Sequence, residues 1–284
     1  MDITLEPLND SYGACIEGVN IGNGISDDEF DQIRDAFETH SVLVLPEQQL
    51  DDAKQIAFSE RFGSLEYTVP TNQSGGSYFA VQSNLDVNTG EPIPQDDRRL
   101  FYQKANMLWH SDSSFREPRS LCSILSAQEV PPSGGATEFA STCTVYDHLD
   151  ENLKQELEEL EVEHDINHSR QTVGYVFTDA EAAAMSPARH SIVQTNLVTG
   201  RKSLLIGSHA KRIIGWPENR SRILLDELLD KTTQPDNCYR HEWKTGDVVI
   251  WDNRSVLHRS TPFDAGRYRR VMQRTTVSLA EYAN

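Results

Sequence analysis

Along this 284-residue chain the hydrophobic positions repeat sometimes at a helical period and sometimes at a strand period, and the switches between the two mark its elements. Residues 1–25 mix small and β-branched side chains with Gly13, Gly18, Gly22 and Gly24, the pattern of short strands and turns. Ser26 and Glu29 have the spacing of a capping box, and Phe30, Ile33 and Phe37 then fall on one helical face, so a helix is predicted to start here. The apolar run 41–45, closed by Pro46, predicts a buried strand, and 51–62 predicts a second helix ended by Gly63.

From about 66 to 106 the periodicity fades among Gly, Asn, Gln, Pro and Asp. A long irregular stretch inside a compact domain is usually functional, and a lid over a site is expected there. Beyond it the chain turns β-rich, with strands predicted at 121–127, 192–197, 203–207, 248–251 and 268–277. Helices are predicted at 151–160, where Leu153, Leu157 and Leu160 share a face, and at 217–229, where Pro217 suits a first turn. The expected fold is therefore a β-rich α+β architecture, a β-sandwich or jelly roll flanked by helices. It is read as one domain over 1–284, with a helical insertion at about 142–235.

Composition narrows the partners. A net charge of −18 argues against nucleic acid and against an anionic membrane, since both need a basic footprint. Cys15, Cys122, Cys143 and Cys238 are scattered and form no CxxC pair, so reduced thiols are expected rather than a zinc site or a disulfide framework. The N-terminus has no basic and apolar leader pattern and no run reaches membrane-spanning length, so a cytoplasmic location is expected. A homo-oligomer is compatible with the sequence.

Two segments far apart carry the chemistry: Trp109-His110-Ser111-Asp112, and Trp251-Asp252-Asn253-Arg254 followed by His258. Two imidazoles and one carboxylate form the set that holds non-haem Fe(II) on one face and leaves other positions open. On an extended segment residues two apart point the same way, so His110 and Asp112 can converge on one ion. His258 completes the set if the fold brings it beside them, and it follows a predicted buried strand that would position it firmly. A second His-x-Asp pair, His148 and Asp150, precedes an acidic helix, where Asp150 serves more simply as a helix cap. Zinc also accepts three protein ligands plus water, so the triad alone does not choose the metal. The basic strand 267–274 adds to the case for an oxygenase. Arg270, Met272 and Arg274 are expected to face one way, sending two guanidinium groups into one pocket suited to carboxylates.

These residues resemble the iron(II)- and 2-oxoglutarate-dependent dioxygenases of the taurine dioxygenase and 2,4-dichlorophenoxyacetate dioxygenase (TauD/TfdA) family, closest to the phenoxyacetate branch. The likeness runs over nearly the whole chain and includes Pro131-Pro132-Ser133-Gly134-Gly135-Ala136-Thr137-Glu138-Phe139 and Arg269-Arg270-Val271-Met272-Gln273-Arg274. It implies a double-stranded β-helix (cupin-like) fold, with His110, Asp112 and His258 as iron ligands and catalytic centre. It also implies that Thr137 and Arg270 bind the distal carboxylate of 2-oxoglutarate. Arg274 would hold an acidic group of the substrate or the near carboxylate of 2-oxoglutarate, and Asn196 would be a substrate-binding position. O2 and 2-oxoglutarate are then co-substrates, with succinate and CO2 as products. The substrate is expected to be a small organic acid that is hydroxylated, with ether cleavage or desaturation as related outcomes. The chain departs from the phenoxyacetate branch at Pro70, Thr71 and Asn196, where a basic residue and a histidine are expected, which points away from phenoxyacetate itself. An isonitrile amino-acid derivative is the alternative substrate within the family. Zinc hydrolase and 2-oxoglutarate sensor are the alternatives outside it.

Overall fold

The computed structural model describes residues 3–94 and 96–280. Met1 and Asp2 of the N-terminus, Gln95 within the 66–106 stretch, and residues 281–284 lie outside it. The apolar runs predicted as buried strands build the core from both of their faces. In the strand Val248–Asp252, Val248 and Ile250 point to one face, and Val249 and Trp251 to the other. Val42–Leu45 divides in the same way, with Leu43 and Leu45 opposite Val42 and Val44.

These strands sit in the middle of a seven-stranded sheet ordered Thr4–Pro7, Ala14–Glu17, Val42–Leu45, Val248–Asp252, Ser120–Glu129, Val271–Ser278 and Ala80–Ser83. Its outer face is covered by the helices Asp27–His40 and Asp52–Glu60, through Phe30, Ile33, Phe37, Phe58 and the neighbouring Phe62. Ser26 caps the first of these helices with the full capping box that its spacing with Glu29 predicts. The inner face packs on a second, three-stranded sheet of Cys238–His241, Thr137–Ser141 and Val256–Ser260. Phe139 and Val256 from this smaller sheet meet Leu125, Val249, Trp251 and Met272 from the larger one. Full burial of each such side chain contributes about 1.5–3 kcal/mol.

Two expectations change. The 66–106 stretch is less irregular than its composition suggests, because Ala80–Ser83 pairs antiparallel with Val271–Arg274 as the sheet's last strand and Arg98–Lys104 is a helix. A four-residue, half-polar edge strand carries little periodic signal. The 142–235 stretch holds more strands than the two predicted at 192–197 and 203–207, which form as Val193–Thr195 and Lys202–Leu204. Its helices Thr142–His148, Glu151–Glu158 and Glu218–Thr232 enclose short strands, including Glu161–His164, Ala188–Ser191 and Ala210–Ile213, around a core with Leu157, Val162, Ile213 and Leu228. Among the described residues no helix is long and apolar enough to cross a membrane.

Candidate active site

The site lies where the two sheets meet at one end, and a buried turn sets its geometry. Arg254, just past Val248–Asp252, is pinned by Asp252 at 2.8 Å and by Glu38 at 2.8 Å, which fixes the turn into Val256–Ser260. The neighbouring Asn253 reaches the His-x-Asp segment: its Oδ1 accepts from the Asp112 amide at 3.1 Å, and its Nδ2 donates to Ser123 Oγ at 3.0 Å. Ser123 in turn donates to Asp112 Oδ2 at 2.7 Å. His110 and His258 pair as an antiparallel bridge, with backbone bonds of 3.0 and 2.9 Å running in opposite directions. The two sequence-remote segments are thus hydrogen-bonded neighbours.

One ligand nitrogen or oxygen from each of His110, Asp112 and His258 lies within 4.8 Å of the others, and all three residues are buried. His258 Nε2 is 3.5 Å and His110 Nε2 is 3.8 Å from the Asp112 carboxylate. His110 Nδ1 contacts the Leu108 carbonyl at 2.7 Å, which fits Nδ1–H as donor and leaves Nε2 as the ligand atom. Burial pushes both imidazoles below their ordinary value, His258 well below it, so each is neutral, the form that binds a metal. Burial pushes the Asp112 carboxyl up, but Arg274, 2.5 Å away, leads the charges that outweigh it and hold it at about 2. The donor set therefore fits a divalent cation.

Two recesses open on this triad. A narrow cleft runs from His110 and His258 past Thr137, Gln82, Asn106 and Ser260, and its continuation, sharing Gln82, Asn106 and Ser260, ends at Arg270. Arg270 is 6% exposed, and among the described residues its guanidinium donates only to the Gly135 carbonyl, from Nε at 3.2 Å and Nη2 at 3.1 Å. No carboxylate among the described residues pairs with it, and burial pushes its guanidinium down to about 10. Thr137 Oγ1 accepts from Trp243 Nε1 at 2.9 Å, which leaves the hydroxyl hydrogen to be donated elsewhere. A buried cation at one end and a metal triad at the other suit a ligand that chelates through one end and carries a carboxylate at the other.

The second recess, on the Asp112 side, is lined by Tyr102, Phe115, Ile166, Arg170, His209 and Arg274 among others. His209 sits there because the chain at Gly207 lies against the metal segment, with Ser208 N–H donating to Trp109 O at 2.8 Å. A Cβ at Gly207 would come 2.9 Å from that same carbonyl, and the backbone φ is +104°.

The structure thus brings together His110, Asp112, His258, Thr137, Arg270 and Arg274, but not in the single two-arginine pocket expected from alternation. Met272, fully buried between the arginines, fills the core, so Arg270 lines the cleft and Arg274 the second recess. Asn196 lies away from both recesses. Its Nδ2 donates to Glu38 at 2.7 Å and its Oδ1 accepts from the Val198 and Thr199 amides in a turn, so it is a structural residue and not a lining one. His148 is exposed and Asp150 caps Glu151–Glu158. The lining residues Tyr102, Arg170 and His209 carry no motif that singles them out in the sequence.

Two neutral imidazoles and an ionised carboxylate on one face of an open recess, beside a buried guanidinium with no counter-ion among the described residues, define a class: the non-haem metal oxygenases that use a keto-acid co-substrate. The model of the family described as taurine catabolism dioxygenase TauD, TfdA family matches residues 4–276, and the chain belongs to that family. It is an iron(II)- and 2-oxoglutarate-dependent oxidoreductase. It is 38% identical over 286 residues to the alpha-ketoglutarate-dependent 2,4-dichlorophenoxyacetate dioxygenase of Cupriavidus pinatubonensis, covering 99% of each chain. It is 34% identical over 293 residues to an alkylsulfatase of Acinetobacter baylyi, covering 97% of this chain and 85% of that one. A crystal structure of AAD-2 in complex with Mn(II) and N-oxalylglycine superposes with a TM-score of 0.89 at 34% identity, covering 98% of this chain and 97% of that one.

Proposed function

We propose that this protein oxidises a small, carboxylate-bearing organic substrate at an iron held by His110, Asp112 and His258, with Thr137 and Arg270 binding the distal carboxylate of 2-oxoglutarate. The observation that carries this is Arg270, a buried guanidinium without a counter-ion among the described residues, at the far end of the cleft that begins at the triad. When bound, iron and 2-oxoglutarate supply O2-driven oxidation of the substrate, releasing succinate and CO2. The protein's part is to hold and orient. Asn253 and Ser123 fix the Asp112 carboxylate, the Leu108 carbonyl fixes the His110 ring, and Trp251 packs against His258 with ring centroids 4.6 Å apart. Facing sheets with the site at their open end are the arrangement of a double-stranded β-helix. We read the chain as one such domain, with 66–106 as a lid and 142–235 as an insertion that closes the second recess. The anionic chain is best suited to a cytoplasmic, small-molecule role, with neither nucleic acid nor membrane as partner.

Anaerobic addition of Fe(II) and 2-oxoglutarate tests the reading. A visible charge-transfer band is expected, followed on admission of O2 by succinate whose yield rises with a substrate drawn from aryl and amino-acid-derived carboxylates. No band, with zinc supporting turnover without O2, would show a hydrolase instead.

A further inference from the structure

The second recess is lined by three arginines, Arg116, Arg170 and Arg274, and two carboxylates, Glu66 and Asp112. Two of the arginines are matched: Arg116 pairs with Glu66 at 3.0 Å and Arg274 with Asp112 at 2.5 Å. Arg170 is left over. It is only 6% exposed, its Nε and Nη1 have no hydrogen-bond partner, and no carboxylate among the described residues pairs with it. Tyr102 holds it in place, with the guanidinium carbon 4.3 Å from the ring centroid. The arginine stands on the helix Ile166–Gln171, N-capped by Asp165, and the tyrosine on the helix Arg98–Lys104. The charge of Arg170 is felt at the metal side, where it helps push His110 and His209 down.

A cation taken out of water without an anion is costly, and folding alone does not explain its retention. The charge balance of the recess does, since its three arginines face only two carboxylates and one positive charge remains for a ligand to match. We infer that Arg170 is the receptor for the anionic group of the substrate. The site then takes a monoanion with an apolar or aromatic body that packs against Phe115, Ile166 and Val69, which line the same recess. Arg274, which donates to Asp112, lines the same recess and positions a metal ligand. The inference rests on the dioxygenase reading in that it takes this recess to be the substrate's.

The test is anaerobic calorimetry on the protein loaded with Fe(II) and 2-oxoglutarate, after its charge-transfer band has been recorded. Failure of the band would count against the dioxygenase reading, and the titrations count for or against Arg170. The probes are phenoxyacetate, 3-phenylpropionate and N-acetylphenylalanine, each beside its primary amide. At least one carboxylate should bind the parent far better than its amide. Arg170→Gln should weaken that carboxylate by about 30-fold or more and leave the amide near its parent affinity, while Arg170→Lys restores part of the loss. Affinity for 2-oxoglutarate should stay near the parent's in both variants. Without ligands, Arg170→Gln should melt no lower than the parent, because it removes an unpaired buried charge. A carboxylate preference that survives in Arg170→Gln overturns the inference. So does a panel with no such preference in the parent, or a clear drop in melting temperature with binding intact.

Discussion

Replacing Arg270 with methionine separates a binding role from a structural one, because the two predict opposite changes in stability. Burial lowers this guanidinium from its ordinary value to about 10, and that gap corresponds to about 3 kcal/mol of strain on the charged form in the ligand-free protein. Methionine keeps an apolar stem against Gly135 but leaves the Gly135 carbonyl without its two donors, at a cost of about 1–3 kcal/mol. The ligand-free variant should therefore be as stable as the parent or up to about 2 kcal/mol more stable. Binding should change the other way. Loss of a buried charge partner costs about 2–5 kcal/mol, at least a ~30-fold weakening for 2-oxoglutarate. Thermal unfolding with anaerobic Fe(II) reads both quantities. At 2-oxoglutarate 100-fold above its parent Kd the parent gains about 2.7 kcal/mol, or roughly 5–10 °C, while the variant gains less than about 1 kcal/mol. A variant that melts well below the parent without ligand and still gains the full shift with it would refute the assignment of Arg270 to the co-substrate.

The other expectations are more local. His110→Ala, Asp112→Ala and His258→Ala should each abolish both the charge-transfer band and succinate formation in a folded protein. His148→Ala should change neither, and Asp150→Ala should cost only about 1 kcal/mol of stability as a lost helix cap, measured by denaturant titration. Thr137→Val removes the hydroxyl facing the cleft, so KM for 2-oxoglutarate should rise about 5- to 10-fold, well short of the Arg270 effect, in steady-state titrations. Gly207→Ala should weaken metal binding, read by Fe(II) titration of the band, since its methyl group meets the Trp109 carbonyl at 2.9 Å; unchanged affinity would mean the loop is free to move away. Glu181 is held at about 2, chiefly by hydrogen bonding from Arg98. Being depressed from 4.5, it contributes stability that is complete above that value and is lost as pH falls through about 2. Arg98 is half exposed, so the effect is modest. Amide exchange in Arg98–Lys104 should rise a few-fold more between pH 5 and pH 3 in the parent than in Glu181→Gln.

What the sequence determined by itself was whatever short-range geometry dictates. The Ser26–Glu29 box starts a helix because both partners lie within one turn. Alternation in Val248–Asp252 divides two cores because the strand period is two. His110 and Asp112 converge because extended backbone aims them alike, and the gathering of His258 could be anticipated from the strand before it, though its pairing with His110 is made only by the meeting of the two sheets. The period-two rule also put Arg270 and Arg274 on one face correctly. It could not show that Met272 would fill the space between them and send each to a different recess. Asn196 looked like a lining residue in the chain, yet three-dimensional packing gives it to Glu38 and a turn. Arg170, Tyr102 and His209 were illegible for the same reason. Each is an ordinary residue on a short helix or loop, and it becomes part of a site only because segments some 40 to 110 positions apart fold over the triad. Whether a charge is paired or left alone depends on every neighbour that packing brings within a few ångströms, which no local pattern encodes.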